Sequence, residues 1–197
     1  MPMPSAPWIA AVLGSFVVAV ALGAPPQEPG RDPAQLRRAQ QVAAVGPEHQ
    51  RLAKLVGDWD VAWTNEGRDG QARDARGTAT GKLVLGGRYV QLDCKLQVQG
   101  TWLHGMQLFG FDALRQQYTS SWRDDLSTWA VDCAGPPPKE QPDLLELSGM
   151  LSDVHDPIGR AFRLRLDLRQ DGVVLVELQD TLEGRDHVLQ RQRWTRR

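Results

Sequence analysis

Cysteine is scarce in this chain, and the two that occur, Cys94 and Cys133, are too few for a disulfide-stapled scaffold. With no histidine beside either, they also fall short of the ligand set for tetrahedral zinc. An excess of one charge is missing too. The 23 basic and 24 acidic side chains leave a formal charge of -1, so no strong field draws the chain to nucleic acid or anionic lipid, and neither is expected as a partner. Catalytic signatures are absent as well: there is no Gly-x-Ser-x-Gly elbow, no phosphate loop and no zinc-protease helix. The nearest approaches are Asp124-Asp125 and His155-x-Pro157. Adjacent strand residues point to opposite faces, so Asp124 and Asp125 form no dyad within a strand, and a turn is the simpler reading. The four histidines, His49, His104, His155 and His187, lack the close helical spacing of a metal pair. No catalytic or metal-binding residue is assigned, and the reading leans away from an enzyme.

What the chain does have begins with one apolar run. No charged side chain precedes Glu28, and Trp8 to Leu22 is rich in Ala, Val and Leu before the small residues Ala21-Leu22-Gly23-Ala24. A membrane-spanning helix needs about 20 apolar residues, so this shorter run reads as a signal peptide over residues 1–23. The expected location is periplasmic or secreted, without membrane attachment once the signal is cleaved. The absence of Lys or Arg ahead of the run leaves an uncleaved anchor as the alternative. Residues 24–46 read as a proline-rich linker and helical lead-in, with a second short helix opened by Pro47 and closed by Gly57.

Beyond Gly57 the hydrophobic period changes to two. Phe162, Leu164, Leu166 and Leu168 alternate with Arg163, Arg165, Asp167 and Arg169, which predicts one buried and one wet face. Strands are predicted near 59–65, 75–85, 88–98, 102–111, 117–123, 127–134, 144–153, 161–170, 173–182 and 187–196. Gly86-Gly87, Gln99-Gly100, Asp171-Gly172 and Gly184 supply turn chemistry between sequential neighbours. Such a meander removes its exposed edges by closing, so the fold class is an all-β, antiparallel up-and-down barrel of about ten strands over residues 47–197. The Pro136-Pro137-Pro138 segment reads as a spacer, or else as a stiff rim at a barrel mouth. Each cysteine shares parity with apolar neighbours and reads as a buried thiol, although an exported setting also permits the two to pair.

Gly57-Asp58-Trp59 resembles the Gly-x-Trp that opens the first strand of lipocalin-like barrels. The ordered set that follows is more specific: Gly77-Thr78-Ala79, Leu85-Gly86-Gly87-Arg88-Tyr89-Val90, Gly105-x-x-Leu108-x-Gly110-Phe111-Asp112, Tyr118-x-x-Ser121-Trp122-x-Asp124, Ser127-Thr128 and Trp194-Thr195-Arg196. Together these resemble an exported bacterial family, domain of unknown function 1579. The resemblance implies a lipocalin-like barrel and carries no activity, cofactor or catalytic residue.

Rings and a few polar groups share strand faces, which is the make-up of a small-molecule pocket as well as of an ordinary core. The candidate ligand-binding residues are Trp102, Tyr118, Trp122, Asp124 and Trp129. Trp59 is assigned to structure, with Arg196 or Arg193 available to stack on it. No cofactor is expected. The one alternative is haem through His187, since haem-binding barrels of the nitrobindin type resemble this architecture and use a histidine near the chain end. The basic run Arg185, Arg191, Arg193, Arg196 and Arg197 reads as a solvated strand face. Function is thus open, with a small apolar or amphipathic ligand leading, a haem-binding or hydrolytic barrel second, and an envelope interaction protein third.

Overall fold

A computed structural model describes residues 32–66, 71–98, 100–154, 156–182 and 185–197. The apolar segment read as a signal peptide, most of the proline-rich linker, Gln99, His155 and Gly184 lie outside the described residues. The chain divides into two compact units, residues 1–40 and 41–197. In the first, the described residues enter a helix, α1 (Pro33–Val42), whose first turn is fixed by the Asp32 carboxylate accepting the Ala34 N–H. α1 buries none of its residues.

The second unit opens with α2 (Pro47–Leu52) and a single 3₁₀ turn (Ala53–Leu55). Pro47 supplies a preset φ where no N–H is needed. The imidazole Nδ1 of His49 accepts the Gly46 N–H at 3.1 Å and holds the helix start. Ten antiparallel strands follow: β1 (Gly57–Glu66), β2 (Ala72–Val84), β3 (Tyr89–Val98), β4 (Thr101–Asp112), β5 (Gln117–Asp124), β6 (Val131–Gly135), β7 (Leu144–Leu151), β8 (Arg160–Asp167), β9 (Val173–Leu182) and β10 (Arg185–Arg196). Each pairs with its sequence neighbour, and β1 also pairs with β10, Trp59 lying opposite Arg196, so the sheet closes on itself. This is the closed ten-strand barrel that the period-two pattern predicts.

One strand starts later than the sequence reading places it. The sixth strand begins at Val131 rather than near 127, because short polar side chains capture the backbone ahead of it. The Asp124 carboxylate accepts the Leu126 N–H at 3.0 Å, and the Ser127 hydroxyl donates to the Trp129 carbonyl. Both cysteines are free thiols, buried on β3 and β6 with two strands between them, which agrees with the buried-thiol reading and not with the alternative of a pair.

One end of the barrel is closed. Leu52 and Leu55 are buried over it, and the Trp59 indole donates to the Leu55 carbonyl at 3.0 Å. Arg196 lies 4.4 Å from the centre of the Trp59 ring, the stacking partner expected from sequence, and also donates to the Val56 and Lys54 carbonyls. Gly81 allows this closure, since a Cβ there would collide with the Leu55 carbonyl. The connection from β6 to β7, which carries the three prolines, lies at this end and not at the mouth. Its Asp143 pairs with Arg51 and Lys54 at 3.4 and 2.9 Å.

Candidate functional site

The opposite end is open. Strand alternation sends Val61, Trp63 and Asn65 of β1, Leu96 of β3, Leu103 and Gln107 of β4, Trp122 and Asp124 of β5, and Leu178 of β9 to the barrel interior, where they line a cavity of about 380 Å³. That volume equals roughly a dozen waters' share of the liquid and lies in the range of small-molecule sites. Its floor is apolar: Phe109, Phe162 and Trp194 are buried there. Above them Trp63, Leu103, Trp122, Val131, Leu151 and Leu178 also point inward, yet they are only partly buried. Inward-facing apolar side chains that solvent still reaches mark an unfilled interior, because close packing would have covered them.

Two positions make the room. Gly105 has no Cβ to meet the Trp122 ring, so the indole can approach β4 closely. Gln107 occupies an inward position where an apolar residue would have extended the core, and its amide donates to the buried Ser120 hydroxyl.

The polar groups gather toward the mouth. The Asp124 carboxylate accepts the Trp122 indole N–H at 2.7 Å through one oxygen and the Leu126 N–H through the other. The Oδ1 of Asn65 is buried at the cavity without a hydrogen-bond partner. Nearby, Arg160 bridges two carboxylates, at 2.8 Å to Asp153 and 2.6 Å to Asp180. The other oxygen of Asp180 stands 3.4 Å from His187 Nδ1. A register shift between Val188 and Gln190 brings His187 opposite Asp180. Both cysteines also line the cavity, and burial pushes each thiol up to about 12.

The residues singled out from sequence separate. Trp122, Asp124 and Trp129 line the cavity, Trp129 from the loop before β6. Trp102 does not: it has the opposite parity to Leu103, lies half exposed on the outer face, and takes the Lys95 ammonium 4.9 Å from its ring centre. Tyr118 does not either. It is 1% exposed at the closed end, packed edge-on against Phe111, and its hydroxyl accepts from the Arg51 guanidinium. His187 sits at the mouth beside Asp180. Sequence reading missed Trp63, Asn65 and Asp153. Strand parity with Val61 was a signal for the first two, but nothing local marks Asp153, which lies in the connection after β7.

A family model described as "Protein of unknown function (DUF1579)" matches residues 44–184. Among solved structures, the "Crystal Structure of Rv2717c from M. tuberculosis" superposes with a TM-score of 0.55 at 10% sequence identity, covering 78% of this chain and 99% of that one. At that identity the likeness is one of fold. Comparison with curated proteins gives no match.

Proposed function

The chain belongs to the DUF1579 family of proteins of unknown function, and from that premise we propose that it binds one small apolar or amphipathic molecule inside the barrel, through the open end. The observation that carries this reading is the cavity itself, with an apolar floor, partly wetted rings above it and a few directed polar groups at the mouth. An interior with this make-up gains by replacing poorly bonded water with apolar atoms. The apolar segment at residues 1–23 supports an exported location for this activity.

Native mass spectrometry of protein purified from its own compartment tests the proposal, alongside titration with an apolar fluorescent dye. The expected result is an added mass, or saturable dye binding at one site, that is lost in Val131→Trp, whose indole would fill the cavity at a stability cost of about 1–3 kcal/mol. A barrel that is always empty and takes up no dye overturns the reading.

A further inference from the structure

Among the described residues, the charged side chains that line the cavity are both carboxylates, Asp124 and Asp153, and from this we infer that the ligand carries a cationic donor, an amine on an apolar body, and that the site discriminates against carboxylates. The inference rests on the interior being the binding site, and it names the chemical class that site selects.

Among the described residues, no lysine, arginine or histidine lines the cavity, whereas Asp124 and Asp153 do. Close by, the guanidinium of Arg160, whose side chain is 10% exposed, already serves two carboxylates, Asp153 and Asp180. His187 faces the second of these, its Nδ1 3.4 Å from the Asp180 carboxylate. Asp124 has no cation within ion-pair distance among the described residues. Its two oxygens accept one N–H each from Trp122 and Leu126, and an ionised carboxylate has about four acceptor sites, so it can still accept from a ligand. The buried Asn65 Oδ1 is a further acceptor with no donor. A fatty-acid headgroup placed here would meet like charge without a counter-ion, at a desolvation cost nothing offsets. An ammonium would meet a carboxylate, an unpartnered amide oxygen and the rings of Trp63, Trp122 and Trp129, whose faces attract cations.

The test is a matched series with one tail and three headgroups, decylamine, decanol and decanoate, titrated into the full barrel at neutral pH by tryptophan fluorescence and calorimetry. Decylamine is expected to bind at least about tenfold tighter than decanol, with decanoate weakest. Asp124→Asn keeps a carbonyl oxygen for its backbone partner and is expected to abolish the preference for decylamine over decanol. Ser127→Lys, which puts an ammonium at the mouth, is expected to turn the preference toward decanoate. Decanol binding with no preference for the amine, or an amine preference that survives Asp124→Asn in a folded variant, overturns the inference and leaves the interior as a binding site. Failure of all three probes to bind overturns both.

Discussion

The two ends of this barrel are made from the same strands and put to opposite uses. At the closed end the polar groups are mutually satisfied: Trp59 donates to Leu55, Arg196 serves two carbonyls while lying on Trp59, and Arg51 reaches both Tyr118 and Asp143. At the open end Asn65 has an orphan oxygen, two carboxylates share one guanidinium, and inward-facing rings stay wet. Buried polar groups without partners cost stability, and packed apolar ones add to it, so the closed end holds the fold while the open end keeps unpaired polar groups and uncovered rings. A sheet that closes into a barrel permits this division, because its ladder of hydrogen bonds continues past the cavity whatever fills it.

The comparison breaks most sharply at the tryptophans. Trp59→Ala is expected to cost about 3–5 kcal/mol in urea unfolding, as for a fully buried indole. Trp122→Ala, where one side of the ring already faces the cavity, is expected to cost about half that or less while weakening ligand binding. Equal losses at the two sites would remove the distinction between the ends. Arg196→Ala is a smaller perturbation of the closed end alone, about 1 kcal/mol, because the side chain is partly solvated.

Acid sharpens the same contrast. Burial lowers the pKa of His49 below its ordinary 6.5, so the unfolded chain takes up that proton more readily than the folded one. The contribution of His49 to stability is therefore complete above 6.5 and lost as pH falls through the lowered folded value. Denaturant midpoints measured at about pH 7.5 and about pH 5.5 are expected to differ in that direction. His49→Phe is expected to flatten the difference without altering ligand affinity. The smallest effect concerns the thiols. With both raised to about 12, Cys94 and Cys133 are expected to resist a polar thiol reagent at neutral pH until the protein is unfolded, with no change in stability. Rapid native labelling would mean that the cavity opens more widely than its lining implies.

Legibility in the sequence followed the same divide. Much of the closed end could be read because its signals are local or strongly patterned, Gly57-x-Trp59, the alternation in β8 and the basic chain end that supplies Arg196, although Tyr118 was assigned to the pocket and belongs here. The open end could not, because a cavity weakens the pattern used to find it. In β4 the inward positions hold Gly105 and Gln107 where alternation would have placed large apolar residues, so parity along the strand is blurred. Trp102 then looked as eligible for the interior as its neighbour Leu103. Trp129 reached the cavity from a loop, which parity along a strand does not describe.

By itself the sequence determined the ten strands and the buried face of most of them, because side-chain alternation is a property of neighbouring residues along one chain. Only the tertiary structure decided which rings meet a cavity, that Arg160 stands between Asp153 and Asp180, and that a bulge near Val188 sets His187 opposite Asp180. These depend on register across strands distant in sequence and on the closure of β1 against β10. No local propensity encodes that geometry.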